Sequence, residues 1–324
     1  LGGRSPSPLR RHRRRRCERS EPFARPRRAI CRRCAAICGA ARRHQLRAKR
    51  ARPYLRRVAS EPLRRLRLTL QYDGSGFHGW QVQPGLRTVQ GEVNSALSRL
   101  ADRPTRTIAA GRTDAGVHAT GQVVSVAMPG QWTPAALEKS LNAILPGDIW
   151  ASRVDAVPEA FHALRSATAR GYIYRVGTGR SARSPFRHPW CWSVREPLDR
   201  EVLERGARAI TGVHSFRGYA KSGQPERGYR CDVRVARWFE WSGGVELRIV
   251  ADRFLHHMVR YLVGTMVDAA RGRRPEADVA GLLDENRLDT LDTSPPAPAE
   301  GLFLARVYYD DQPNPEGPDN EDLP

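Results

Sequence analysis

From residue 66 the chain alternates: Leu66, Leu68, Leu70 and Tyr72 are apolar, and Arg67, Thr69 and Gln71 between them are polar. A period of two with one buried face predicts a strand, and Asp73-Gly74-Ser75-Gly76 has the turn chemistry to end it. Across residues 88–100 the period lengthens, with Val89, Val93, Ala96, Leu97 and Leu100 on one helical face. Residues 122–128 read as a strand. Thr133-Pro134 supplies an N-cap and a first-turn proline for a helix running to about Leu145. Residues 149–157 return as a strand.

The theme then repeats. Residues 168–176 form a predicted strand with Tyr172, Tyr174 and Val176 on one face. A helix is expected over 198–210, and 233–241 with 245–251 make a hairpin across Ser242-Gly243-Gly244. Over 255–270 the residues Leu255, Met258, Val259, Leu262, Val263, Met266 and Val267 line one side of a strong helix. A last strand covers 302–308. The order of elements predicts an α+β fold of two similar halves, 63–166 and 167–309. Each half carries an antiparallel sheet, the two joined edge to edge. The cleft between them is a natural ligand site.

Charge separates the ends from the middle. The formal net charge is +21, yet residues 1–65 hold 23 of the 55 basic residues and only 3 of the 34 acidic ones. Residues 310–324 hold 6 acids and no base. The folded part is therefore only mildly basic, which is compatible with nucleic-acid binding but does not by itself indicate it. Residues 1–62 combine arginine runs with scattered proline and lack a hydrophobic period, so a disordered tail is expected, as it is for the acidic 310–324. Residue 1 is Leu and the first methionine is Met128. The expected natural start lies near Val58 or Leu63, with the tail as translated upstream sequence; an arginine-rich transit peptide is the alternative. Cys31, Cys34, Cys38 and His44 have partial zinc-ligand spacing but no folded frame around them. Few core cysteines (Cys191 and Cys231), no signal-peptide pattern and no membrane-length apolar run point to a reducing, cytoplasmic setting. With 40% hydrophobic residues the chain can bury a sizeable core.

The densest chemistry lies in Gly111-Arg112-Thr113-Asp114-Ala115-Gly116-Val117-His118-Ala119. Small residues let a ring or a nucleic-acid backbone approach closely, and a carboxylate, a guanidinium and an imidazole fall within seven positions. A turn with a solvated aspartate explains the same residues. Asp114, His118 and His78 are a weak metal set, lacking a second carboxylate or a cysteine pair. His256 and His257 are adjacent, so on a helix they would point ~100° apart and could not clamp one ion. Phosphate-loop, dinucleotide and nucleophile-elbow fingerprints are missing, which favours chemistry without a cofactor.

Taken together the segments carry a resemblance. Tyr72-Asp73-Gly74-Ser75 is followed by Gly79-Trp80-Gln81-x-Gln83, then by 111–119 and by Leu145-Pro146-Gly147-Asp148. Phe161-His162-Ala163 and Ser166-Ala167-Thr168-Ala169-Arg170 come next. Phe254-Leu255-His256-His257-Met258-Val259-Arg260 follows with Val263-Gly264, and Ala297-x-x-Glu300-Gly301-Leu302 closes the set. In this order, over 66–309, the chain resembles the tRNA pseudouridine synthase A family. The resemblance implies the pseudouridine-synthase fold, with ferredoxin-like or RNP-like halves. It implies conversion of uridine to pseudouridine in the tRNA anticodon stem-loop at positions 38, 39 and 40, by a homodimer, with tRNA as partner and with no metal or organic cofactor. It also implies roles: Asp114 as nucleophile, Arg260 as its basic partner, Tyr172 as the base-stacking ring, Arg112 as a substrate contact, and Leu302 as an apolar neighbour of the site.

Physical chemistry is consistent with those roles. The isomerisation oxidises nothing and releases nothing, so one ionised carboxylate beside a permanent cation can serve. A flat ring on a strand suits an extruded base. Each residue alone has an ordinary reading: Tyr172 as a packed strand aromatic, Arg260 as a helix-surface charge, and His118, His256 and His257 as hydrogen-bonded structural groups or phosphate contacts. Trp80 and Gln81 either shape the cleft or pack under it. A non-catalytic RNA-binding relative and a metal-dependent hydrolase on Asp114 and the histidines are the competing functions.

Overall fold

The computed structural model describes residues 62–221 and 228–310. The arginine-rich segment with its cysteines, the expected start near Val58, and the acidic end after Asp310 lie outside the described residues. In chain order the elements are β1 (Leu63–Tyr72), α1 (Val89–Ala101), β2 (Ile108–Ala109), β3 (His118–Pro129), α2 (Pro134–Asn142) and β4 (Ile149–Ala156). After them come β5 (Ala167–Gly177), β6 (Trp192–Ser193), α3 (Arg200–Ala209), β7 (Gly212–Ser215), β8 (Arg230–Trp241), β9 (Gly244–Ala251), α4 (Met258–Ala270), α5 (Ala277–Gly281) and β10 (Leu302–Tyr309). None of the described helices is long and apolar enough to cross a membrane.

One mixed sheet carries the fold, in the order β4-β1-β3-β10-β5-β9-β8-β7. Neighbours along this path run antiparallel except at the centre, where β10 lies parallel to β3 through Phe303↔His118 and Leu304↔Ala119. The last strand among the described residues is thus inserted between β3 and β5, and it joins the early strands to the late ones. This junction explains why β3 begins at His118, four residues before the apolar run that signals it: the polar start His118-Ala119-Thr120-Gly121 is pinned by β10 and by Tyr72↔Ala119.

Three helices begin at side-chain caps, of which Thr133 is the one read from the sequence. Thr88 Oγ1 accepts from Gly91 N–H, Thr133 Oγ1 from Ala136 N–H, and Asp199 Oδ1 from Val202 N–H. Such caps satisfy N–H groups that the first turn leaves unpaired. The strand residues Leu66, Leu68 and Leu70 and the helix residues Val93 and Leu97 are fully buried in the main core, together with Leu262, Val263 and Met266 of α4. Each such side chain contributes roughly 1.5–3 kcal/mol on burial. A smaller cluster of Ala169, Ile173, Val250, Phe303, Ala305 and Tyr308 forms a second apolar layer, with Trp190 and Val235 packed against it. Tyr172 and Ile173, adjacent in β5, therefore fall in different clusters, as strand alternation requires.

α4 starts at Met258, three residues later than its apolar period suggests. His257 adopts φ 62°, a left-handed conformation that cannot continue a helix toward the N-terminus.

Candidate active site

Asp114 sits on the loop between β2 and β3, and hydrogen bonds from the surrounding strands shape that loop. Gln122 Nε2 donates to Gly111 O (2.8 Å), and the Tyr72 hydroxyl meets Thr113 Oγ1 at 2.8 Å. Trp80 N–H donates to Thr113 O (3.0 Å), and Val117 N–H closes a turn onto Asp114 O (3.2 Å). The approach of residues 79–80 depends on Gly79, whose φ is +86°; a Cβ there would meet Thr113 O at 2.8 Å. Arg170 of β5 adds a brace from the other side, its Nη2 donating to Ala110 O (3.0 Å) and its Nη1 to Asp252 O (3.0 Å). Trp80 is buried and tilted against Tyr72, so it packs under the loop, whereas Gln81 is exposed.

The segment leading into α4 supplies what faces the carboxylate. Arg260 Nη1 lies 3.6 Å from Asp114 Oδ2, and His257 Nε2 lies 3.2 Å from the same oxygen. His256 Nε2 is 3.6 Å from Oδ1. Arg260 is held in turn by Ala297: its Nε donates to Ala297 O (2.7 Å), and Ala297 N–H donates to Arg260 O (2.9 Å). That pairing brings 295–297 so close along α4 that a Cβ at Gly264 would lie 2.3 Å from Pro295 O.

The structure revises the reading of the two histidines. They do not lie on a helix pointing apart; the left-handed His257 turns the chain so that both rings, 4.2 Å apart, converge on Asp114. Burial, with the neighbouring Arg260 and Lys221 charges and the His256 ring, holds the His257 imidazole below the usual histidine range against the pull of Asp114.

Among the described residues, Asp114, His256 and His257 are the one group of three possible metal ligands, with ligand atoms within 4.8 Å of one another. The Arg260 guanidinium already sits on Oδ2, so the carboxylate has a permanent cation as a neighbour. The arrangement is that of two imidazoles and a fixed cation gathered on one carboxylate. The alternative set with His118 and His78 is not assembled. His118 is buried at the start of β3, its Nδ1 accepting from Gly74 N–H (3.1 Å) and its ring stacked on Phe303; His78 is exposed.

Tyr172, on β5, is 9% exposed and meets Phe254 edge-on with ring centroids 5.0 Å apart. Burial pushes its hydroxyl up to about 12; Arg170 opposes this and the Asp114 charge adds to it, so the phenol and the carboxylate share one electrostatic neighbourhood. A Cβ at Gly111 would lie 3.9 Å from that hydroxyl. Arg112, two residues before Asp114, is exposed. Leu302 is buried at the start of β10 opposite Tyr174. Sequence reasoning missed Phe254, the Arg170 brace, Gln122 and the convergence of the histidines. The first two stand in quoted segments, so proximity in the pattern was their only signal.

Known proteins match this chain over the same span. The sequence profile described as tRNA pseudouridine synthase matches residues 69–164 and 207–310. A relative named tRNA pseudouridine synthase A from Moorella thermoacetica is 40% identical over 247 residues, covering 75% of this chain and 99% of its own length. Proteins of the same name from Geobacillus kaustophilus (39% over 254 residues, 76% of this chain and 95% of the relative) and Enterobacter sp. (38% over 271 residues, 82% and 95%) agree.

Proposed function

The chain belongs to the tRNA pseudouridine synthase family, and from that premise we propose that it isomerises uridine to pseudouridine in tRNA with Asp114 as the attacking carboxylate. The uridines are those at positions 38, 39 and 40 of the anticodon stem-loop. The observation that carries the reading is the convergence of Arg260, His257 and His256 on the partly exposed carboxylate of Asp114.

The reaction breaks the N1–C1′ bond, turns the uracil, and forms C5–C1′; C5 loses a proton and N1 gains one. No atom leaves and no electron is transferred. The catalytic demand is therefore for one nucleophile, charge stabilisation and a way to hold the base while it turns. Arg260, a permanent cation anchored at both its Nε and its backbone oxygen, keeps Asp114 matched to a positive partner. Tyr172 offers a ring bedded against Phe254 for the extruded base. Leu302 gives the site an apolar wall. Exposed Arg112 contacts the RNA, bracing the gap left by the uridine or holding a phosphate. The enzyme acts as a homodimer in the cytoplasm, each tRNA touching both subunits.

The test incubates the purified chain with an anticodon stem-loop substrate, without added metal and with EDTA, and counts pseudouridines. Wild type should convert its uridine. Asp114→Asn should bind RNA with unchanged affinity and lose at least ~10³-fold in rate, because an amide does not attack. Binding without conversion by wild type would favour the non-catalytic RNA-binding reading. Conversion that EDTA abolishes would favour a metal-dependent site.

A further inference from the structure

His257 stands in a conformation that local chemistry disfavours. Among the described residues only Asp102 and His257 have positive φ without being glycine. Asp102 closes the C-terminus of α1, where left-handed residues are ordinary. His257 instead precedes the first residue of α4. Helix starts favour Ser, Thr, Asp or Asn in extended conformation, with a side chain that accepts from the first turn. α1, α2 and α3 all begin that way, through Thr88, Thr133 and Asp199. His257, at φ 62° and ψ 5°, makes no capping hydrogen bond. The start of α4 thus forgoes a cap and carries backbone strain.

In that conformation Nε2 stands 3.2 Å from Asp114 Oδ2. The surrounding backbone holds it there. Met258 N–H donates to Leu255 O (3.1 Å), Lys221 N–H to His256 O (3.1 Å), and Tyr261 N–H to His257 O (3.0 Å). His256 on one side and Tyr261 on the other flank the ring. Strain kept at a residue facing a reactive group signals function where the surroundings over-determine it.

The two carboxylate oxygens are treated differently. The contacts of His257 and Arg260 are to Oδ2, whereas that of His256, whose side chain is 57% exposed, is to Oδ1. We propose that His257 is a positioning residue for the isomerisation, holding Asp114 Oδ2 from one side while Arg260 holds it from the other, so that Oδ1 is presented as the attacking oxygen. This rests on the reading of Asp114 as nucleophile.

The experiment compares the full chain with His257→Leu, which keeps bulk without a donor, and His257→Gln, which keeps an N–H at similar reach. Single-turnover pseudouridine formation and RNA affinity are measured for each. Leucine should lower the rate ~10–100-fold, the size of effect that sub-ångström to ångström misplacement of a reacting group produces, with RNA affinity within ~3-fold of wild type. Glutamine should recover most of the rate. Wild-type rates with leucine, equal losses with leucine and glutamine, or a loss confined to RNA affinity would each overturn the proposal. Nitrogen NMR of ¹⁵N-histidine-labelled protein reads the contact without turnover: the His257 imidazole signal should move in Asp114→Asn, and an unmoved signal would overturn the proposal even if His257→Leu fails to fold. A wild type that makes no pseudouridine while the His257 signal still responds to Asp114→Asn would instead sink the assignment of the reaction.

Discussion

Two segments meet at Asp114, and they are built by opposite means. The loop 110–117 takes its shape from outside itself: Gln122, Tyr72, Trp80 and Arg170 bind its backbone or Thr113, and Gly79 supplies the room. The segment 254–260 reaches the same carboxylate through a strained residue in its own chain, then hands over to a regular helix whose buried face anchors it. One segment is placed by many weak ties to the sheet, the other by one unfavourable backbone conformation held by a strong helix. A change in the loop's supports should therefore appear first in stability. A change in 254–260 should appear first in rate.

Arg260→Lys tests the second half of that contrast and should have the largest effect. Lysine keeps the charge but loses the planar fork and the Nε–H bond to Ala297 O. Turnover should fall ~30-fold, the equivalent of ~2 kcal/mol, with the thermal midpoint nearly unchanged. An unimpaired enzyme would dissolve the Asp114–Arg260 pairing. Gly79→Ala addresses the loop. Its Cβ would crowd Thr113 O at 2.8 Å in a backbone conformation of φ +86°, so a loss of ~2 kcal/mol is expected. In a protein of this size that lowers the melting midpoint by ~4–8 °C, and turnover should fall with it because Asp114 follows Thr113. An unchanged midpoint would mean the loop does not depend on that approach.

Tyr172 lies between the two segments. Tyr172→Ala removes a stacking surface worth ~1–3 kcal/mol per base and should slow conversion ~10-fold or more, whereas Tyr172→Phe keeps the ring and should stay near wild type. Equal behaviour of the two variants would move the contribution from the ring to the hydroxyl. The smallest effect concerns pH. His118 beside the loop and His257 before α4 are both held below the ordinary histidine range, chiefly by burial. Below pH ~6.5 the unfolded chain takes up protons at these positions that the native protein resists, so native stability declines as pH falls through that range. The melting midpoint should drop between pH 7.5 and 5.5, and His118→Asn and His257→Gln should each remove part of the drop. A midpoint whose pH dependence neither substitution alters would show that these rings do not couple to folding.

Much of the fold is legible along the chain because its signals are local. Alternation marks β1 and a 3.6-residue period marks α1 and α4, while Thr133 announces its helix as a side chain that satisfies an N–H group only a turn away. The segment around Asp114 was legible for another reason: its residue types, taken with the ordered segments before and after it, form a pattern no single element produces.

What the sequence by itself indicated, then, is the longer elements and the segment around Asp114, with Arg260, Tyr172, Arg112 and Leu302 as candidate partners through the resemblance. Only the tertiary structure decided that β10 would enter between β3 and β5, since strand order is set by pairings nearly two hundred residues apart, as in Phe303↔His118. It also decided where α4 begins. Adjacent histidines in an apolar period read as helix, and helix geometry would send their rings apart. One left-handed residue, with Lys221 N–H bonded to the His256 carbonyl before it, Tyr261 N–H bonded to its own carbonyl and the carboxylate opposite, brings them together on Asp114. A periodic pattern records which residues are buried; the backbone conformation of a single residue at the end of that pattern depends on contacts the pattern does not contain.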